Sequence, residues 1–450
     1  MKAELVETGT FKIDRKRTLQ KLRDYQLPAG PRGFLSWIRC ASASQAKAIS
    51  ITIGRSSIRI TFDGIPFDER ELGDPYHALF SRNGSRGERD RHFALAMLWA
   101  WRAGAESILI QSGPKKDRFR LLAHSLVDEV IEPETSTLIK ETGYPTVIEL
   151  EWPMMRLSGE PVSGLTRQFL AEACALVDAH IDLDGETLAP ETDNAWPPYA
   201  FRNKKLRGTL SIPEHESKRK GVIALYVLGV YAADISVKNA DFPFKGRLND
   251  DEFKLNASLT KVVQNDRLSA GLSELQNRYS DFMIHVAKQQ VKAGKEIGAL
   301  LVESSRLREE WKRVFDFDST NDELPGPAQL PWHLPRSKRM RVHLAARMAS
   351  WIRMVTETKT QGYSRGPRGE LERTLWSAPL IYDIRGRPMS LERLAREDKG
   401  PRIRFSSIRR NAHARADWVA WALTRRDELW LQRFAKRTTI NVTKMPQRTW

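Results

Sequence analysis

GFLSWIRCASASQAKAISITIG (residues 33–54), IRITFDGIPF (58–67) and HFALAMLWAWRAGAESILIQSG (92–113) lie in one run of the chain and set how the rest is read. Ile49, Ile51 and Ile53 alternate with polar or small residues, and so do Ile58, Ile60 and Phe62. That is a period of two, the signature of strands with one buried face. Residues 93–101 are apolar on nearly every side, as expected of a helix packed beneath a sheet. The expected order is a helix, a strand, a second strand ending at Asp63-Gly64, a long loop, an apolar helix and another strand.

At these residues the stretch resembles the Hsp90-like ATP-binding fold shared by Hsp90, gyrase B, histidine kinases and MutL. In that family a helix carries a catalytic Glu and a metal-holding Asn, a strand ends in Asp-x-Gly-x-Gly, and a glycine-rich lid precedes the next helix. Aligned on this order, Trp37 stands where the Glu belongs and Ala41 or Ser42 where the Asn belongs. Phe62 replaces the adenine-reading Asp, Gly64 is kept, and Pro66 replaces the second glycine. Phe62 cannot accept the amino-group proton of adenine, which would be buried unpaired at a cost of roughly 1–3 kcal/mol. Hydrolysis needs a base near the attacking water, and Trp37 is not one. Asp63 is a register-shifted substitute, although a one-residue slip on a strand turns the side chain to the other face. Thr146, opening the last strand-like run TVIELEWP, stands where the family often has a nucleotide-contacting Thr.

The resemblance extends through about residue 300. A second unit starts near Phe201, with strand-like runs in KKLRGTLSIPEHESKRKGVIALYVLGVYAADIS. DFPFKGRLNDDEFKLNASLTKVVQND follows and resembles the strand, loop and helix of the family's middle domain, whose loop delivers an Arg to the terminal phosphate. Asn256, Ala257 and Ser258 match the polar entry of that loop, Leu259 stands at the Arg, and Lys261 is the nearest cation. The resemblance implies a residual nucleotide site at Asp63, Gly64, Thr146 and Lys261, no catalytic residue and no metal ligand. It implies no cofactor, with ATP and Mg as the ligands should the pocket still work.

The chain has 450 residues, and length alone suggests about three domains. Two cysteines, Cys40 and Cys174, provide neither a disulfide framework nor zinc spacing, which points to a reducing cytoplasm. No apolar run approaches the roughly 18 residues of a membrane span, and the acidic N-terminus does not read as a signal peptide. Net charge is +17, and all of it resides in residues 331–450, where 27 Lys and Arg face 10 Asp and Glu. The preceding residues carry 46 of each sign. Such asymmetry points to an acidic partner, whether nucleic acid or a protein surface.

Around these anchors the remaining segments fall into place. In residues 1–33, Leu19, Leu22 and Tyr25 have helical spacing, and Pro28 and Gly30 stop the helix. The lid region SRNGSRGERDRH (81–92) holds Gly84 and Gly87 with Arg82, Arg86, Arg89 and Arg91, a density of guanidinium groups able to grip phosphates or to sit solvated in a loop. Residues 267–316 read as helical throughout, with Leu268, Leu272, Leu275, Tyr279, Phe282, Val286 and Val291 in one stripe. A proline-rich, acidic break follows. In the last unit, RMRVHLAARMASWIRMV reads as a basic amphipathic helix, and WSAPLIYDIRGRPMSLERLAR as strand, turn and helix. Arg385, Arg387, Arg402, Arg404, Arg409, Arg410, Arg425 and Arg426 interleave with Trp418 and Trp421. Arginines among aromatics bind single-stranded nucleic acid by charge and stacking, bind an acidic protein, or show water one face of a helix that buries its Trp.

The expected architecture is α+β. Residues 1–155 form a degenerate Hsp90-like α/β sandwich and 156–200 a connecting helix and linker. Residues 201–316 form a ribosomal-S5-like α/β middle domain and 331–450 a basic, mostly helical module. No HExxH, GxSxG, complete Walker A or short repeat occurs. Two functions fit: a non-catalytic, chaperone-like scaffold that binds a protein partner or nucleic acid through its basic module, as a monomer or homodimer, or a divergent ATPase working as a nucleotide-driven conformational clamp.

Overall fold

The computed structural model describes residues 14–28, 30–80, 87–114, 118–126, 128–133, 143–153, 162, 164–189, 198–203, 206–213, 221–237, 242–256, 258–316, 336–359, 369–396, 402–406, 420–423, 425–438 and 441–444. These form a mixed α+β fold around three sheets.

The first sheet gathers β1 (Ala48–Ile53), β2 (Ser57–Phe62), β3 (Ser107–Ser112), β4 (Phe119–Ser125), β5 (Asp128–Pro133), β6 (Thr146–Glu151), β7 (His180–Leu183) and β8 (Glu186–Thr187). Its spatial order is β5-β4-β3-β6-β2-β1-β7-β8, antiparallel except where β1 runs parallel to β7. The register explains the period of two. Ile51, Ile60, Ile148, Ile110 and Leu121 stand in one cross-strand row, and all five are fully buried. Ile58, Leu150, Ile108 and Ala123 make a second buried row. Each Ile and Leu of these rows contributes about 1.5–3 kcal/mol on leaving water.

Helix α1 (Arg15–Lys21) is capped by Asp14, whose side chain accepts from Arg17 N. Helices α2 (Leu35–Ala43), α3 (Glu69–Gly73) and α4 (Gly87–Arg102) follow, with α2 and α4 packed against each other. Phe93 to Ala100 are all buried, as the all-round apolar pattern requires. A short α5 (Arg167–Ala173) is capped by Thr166.

The second sheet holds β9 (Tyr199–Asn203), β10 (Leu206–Ser211), β11 (Gly221–Val227), β12 (Val230–Val237) and β13 (Phe244–Asp250), in the order β12-β11-β13-β10-β9. The run expected as continuous helix over 267–316 is three helices: α6 (Asp266–Asn277), α7 (Tyr279–Glu303) and α8 (Ser305–Asp316). Arg278 turns the chain between the first two, and Ser304 is extended between the second pair. A stripe of apolar residues does not register such a break, because packing of each piece preserves the spacing.

The last unit holds more helix than strand among its described residues, as expected, but it also contains a sheet of which the sequence marked only the first strand. Helices α9 (Arg336–Lys359), α10 (Gly369–Ser377), α11 (Leu391–Arg396) and α12 (Arg425–Thr438) accompany a third sheet. Its strands are β14 (Pro379–Asp383), β15 (Pro388–Ser390), β16 (Arg402–Ser406), β17 (Ala420–Trp421) and β18 (Asn441–Lys444), ordered β15-β14-β17-β16-β18. β16 pairs in parallel with β17 and β18, so its partners are distant in sequence and no hairpin signal marks them.

This unit is packed into the rest of the chain. Ile297, Leu300 and Leu301 of α7, Leu307 and Trp311 of α8, Val342, Ala345, Ala346 and Ala349 of α9, Tyr382 and Trp421 make one core. On the other side of α9, Trp351 donates from Nε1 to the Pro243 carbonyl at 2.8 Å and meets Phe242 and Phe282 edge-on. Gly298 lets α7 touch the Ile384–Arg387 turn: a Cβ there would lie 2.9 Å from Tyr382 Cδ1 and run into the Gly386 carbonyl. Among the described residues no helix is long and apolar enough to cross a membrane.

Candidate functional site

The end of the first sheet, where a nucleotide site was expected, is built from the last residues of β2, the first of β6, and helices α2 and α4. The third cross-strand row there reads Ile49, Phe62, Thr146, Ser112. Phe62 and Trp37 are fully buried, and so is Ala41. Trp37 meets Phe93 edge-on at 6.1 Å between centroids, and Phe93 lies 4.4 Å from Phe67. Aromatic rings therefore fill the space between sheet and helices, and each such pair adds about 0.5–1.5 kcal/mol beyond its burial.

The polar groups of this row are engaged with one another. Thr146 Oγ1 and Ser112 Oγ are 2.8 Å apart, and Ser112 Oγ accepts from Phe67 N at 2.8 Å. Asp63 is exposed rather than in the row of Phe62, and its Oδ1 accepts from Lys47 N and Ala48 N at 2.7 and 2.8 Å. It ties the start of β1 to the end of β2. Gly64 is required by a close approach to α2: a Cβ would lie 2.7 Å from the Ser44 carbonyl, which itself accepts from Ile65 N at 2.7 Å. The row offers no carboxylate to adenine and no base to a water, so by their chemistry these residues do not fit an adenine nucleotide.

The loop leading to α6 is a closed turn. Asn256 Oδ1 accepts from Thr260 N and Lys261 N at 3.0 and 3.1 Å, and its Nδ2 donates to Ser258 Oγ at 2.8 Å. Leu259, at φ +55, buries its side chain, while Lys261 is exposed. Ala257 lies outside the described residues.

Of the arginine-rich lid, Arg82, Arg86 and Gly84 lie outside the described residues, and Gly87 opens α4. Arg89 is buried and points inward. It pairs with Glu71 and Asp90, donates to the Pro66 carbonyl at 3.2 Å and sits 4.6 Å over the Phe67 ring. The Arg89 guanidinium, expected either to grip phosphates or to sit solvated in a loop, is thus a strut holding α3 and the Asp63–Phe67 turn to α4. Beside it opens a cleft of about 290 Å³ lined by Arg70, Glu71, Asp74, His77, Asp90 and Phe93.

In the last unit, Trp421 is 3% exposed within the core already described, with Arg308 lying 5.6 Å from its ring centre. It has no open face for a base. Trp418, Arg409 and Arg410 lie outside the described residues. Arg387 donates from Nε to Asp383 Oδ2 at 2.5 Å across the turn, and Arg385 beside it is exposed. Arg402 and Arg404 belong to β16, and Arg425 and Arg426 open α12, where Arg425 is exposed.

Sequence reasoning missed Arg353. It is buried in α9, donates to Asp427 of α12 at 2.5 Å and to the Leu380 carbonyl at 2.6 Å, and stacks 4.7 Å from the Trp430 ring centre. In a helix read as basic and amphipathic one more arginine carries no signal of burial, and its partner is 74 positions away.

Burial sets the electrostatics of α2 and its neighbours. It pushes the Cys40 thiol well above its usual range and Cys174 up to about 12, so both stay protonated. His92 is held well below its usual value by burial and by the nearby Arg39 and Arg91. Among the described residues no three His, Cys, Asp or Glu side chains are grouped to hold a metal ion. No family model and no curated protein matches the chain.

Proposed function

We propose that this chain is a non-catalytic scaffold of the Hsp90-like kind, which keeps the shape of a nucleotide domain and binds an acidic protein partner through the basic surface of its last unit. The observation that carries this reading is the pair Trp37 and Phe62, both fully buried where a catalytic Glu and an adenine-reading Asp would stand. A pocket closed by aromatic rings supports a structural use of the fold. Asp63 and Thr146, on which a nucleotide-driven clamp would rely, are already hydrogen-bonded within the protein. We read the sheet over residues 199–250, with its loop and α6, as the ribosomal-S5-like middle unit.

A protein partner is favoured over single-stranded nucleic acid because Trp421 and Trp430 are buried and so withdrawn from base stacking. What α12 offers instead is an exposed face of Arg425, Leu429, Gln432, Arg433 and Lys436, with Leu429 44% exposed. Cations flanking an apolar residue at helical spacing suit an acidic amphipathic surface. Deleting residues 331–450 would strip α9 from the second sheet, so the test uses surface charge reversal. A labelled acidic peptide and a labelled single-stranded oligonucleotide are titrated into the full chain by fluorescence anisotropy. The reading predicts peptide binding that weakens with salt and is lost in Arg425→Glu/Lys436→Glu. Oligonucleotide binding alone, or peptide binding unchanged by the reversal, contradicts it.

A further inference from the structure

A groove of about 430 Å³ opens where α6 crosses the end of the second sheet. Asp250 of β13, Leu206 of β10 and Asn203 of β9 line it from below and stand in one cross-strand row. Two strand spacings separate the ends of that row, about 10 Å. Arg267, Ala270, Gly271 and Glu274 line it from α6, at the spacing of a single helix face. The two turns from Arg267 to Glu274 cover about 10.5 Å, so the helix lies along the row. Its contacts fix the direction. Arg267 pairs with Asp250 at 2.6 Å, and Asn203 Nδ2 donates to Glu274 at 3.5 Å.

The middle of the groove is apolar and its two ends are charged. Leu206 forms the floor, and at Gly271 the helix comes close: a Cβ would lie 3.0 Å from Phe253 Cζ and 3.5 Å from Leu206 Cδ1. Only the short, exposed side chain of Ala270 stands beside it. At one end Asp250 and Glu252 share Arg267, at 2.6 and 3.4 Å. Asp250 is 1% exposed, and its Oδ1 also accepts from Glu252 N at 2.9 Å. At the other end Glu274 and Asp281 share Arg278, at 2.6 and 3.7 Å. The Arg278 hydrogen bond holds Glu274 below the usual carboxylate range, so it is ionised at neutral pH. Each end thus sets two carboxylates against one guanidinium.

We infer that this groove binds an aliphatic polyamine, with one ammonium at Glu252, another at Glu274, and the methylene chain over Leu206, Ala270 and Gly271. The arrangement selects against the other charged ligands. A metal ion needs its carboxylates around one point, and here they are divided between two ends; among the described residues no three are grouped to hold one. A phosphate or carboxylate ligand meets like charge at both ends. A monoamine reaches one end and leaves the other unanswered. A diammonium chain answers both and covers apolar surface between them. Once bound, it ties α6 to β9 and β13. The site belongs to the second sheet and is independent of the closed end of the first sheet and of the basic face of α12.

The test is isothermal titration of the full chain with spermidine, butylamine and magnesium chloride at one ionic strength. Spermidine is expected to bind saturably and about tenfold or more tightly than butylamine, since two joined groups bind better than either alone. Magnesium is not expected to displace it. Glu252→Gln and Glu274→Gln keep the shape of partly exposed side chains, and each is expected to bring spermidine down to the affinity of butylamine. Glu296→Gln, on α7 and outside the groove, is expected to change nothing. Ala270→Phe lays a ring across the floor and leaves every charge in place, so it should block spermidine even where a carboxamide variant fails to fold. No saturable heat, equal affinity for spermidine and butylamine, displacement by magnesium, or spermidine binding unchanged in Ala270→Phe overturns the inference.

Discussion

Replacing Asp427 by Ala removes one half of a pair whose side chains are 2% and 6% exposed, with Asp427 Oδ1 2.5 Å from Arg353 Nη1. Arg353 then keeps the Leu380 carbonyl and the Trp430 face, but loses the Asp427 carboxylate. Breaking a buried pair from one side costs about 3–5 kcal/mol, since the remaining charge stays desolvated after its carboxylate partner is gone. Because Arg353 ties α9 to β14 and α12, the loss falls on the last unit. A tenfold change corresponds to about 1.4 kcal/mol, so amide exchange in α12 and β14 should accelerate by about two to nearly four orders of magnitude. Exchange in β1 and β2 should not change. Replacing both partners, Arg353→Met with Asp427→Leu, should recover most of the loss. Hydrogen exchange followed by mass spectrometry reads all three variants. An Asp427→Ala chain whose α12 exchanges within tenfold of the native rate would refute the idea that this pair locks the basic unit in place.

Three further outcomes follow from the same geometry. Asp63→Ala should lower stability by about 1 kcal/mol, less than the roughly 1.5–3 kcal/mol of a charged acceptor because the carboxylate is exposed, and a urea midpoint should show the same loss with and without ATP. Gly298→Ala improves helix propensity by about 1 kcal/mol but forces a methyl against Tyr382 and the Gly386 carbonyl, so the net should be a loss of about 1–2 kcal/mol in thermal unfolding; a gain would mean the close approach is wrong. His92 and His285 are both held below their ordinary value, chiefly by burial. The unfolded chain therefore binds more protons below the ordinary histidine range, and stability should fall as pH drops from 7 towards 5, roughly the window below 6.5. His92→Gln should flatten that fall in pH-dependent denaturation, and an unchanged slope would remove His92 from the account.

How much of this was legible beforehand depends on the range of the interaction. The alternation at Ile49–Ile53 and Ile58–Phe62 marks β1 and β2, since a buried face imposes its period directly on the residues. The apolar run at residues 93–101 marks α4 for the same reason. The turn at Arg385-Gly386-Arg387 with its flanking strand and helix was also visible. The strands β16, β17 and β18 were not, because parallel pairing between distant segments leaves no local pattern. Trp421 among arginines read equally as a stacking platform or as core, and only the packing of α7, α8 and α9 around it decides for core. Arg39 donates to the Tyr231 carbonyl from 192 positions away. No periodicity could announce that contact, nor that Arg89 of the lid and Arg353 of α9 turn inward to hold helices together.

The filled end of the first sheet decides whether this chain can hold a nucleotide. Isothermal titration of the full chain with ATP and Mg²⁺ at millimolar concentration measures it most directly. Trp37 and Phe62, packed as they are, predict no saturable heat. Saturable binding that disappears in Asp63→Ala or Thr146→Val would show a working nucleotide site and contradict the account.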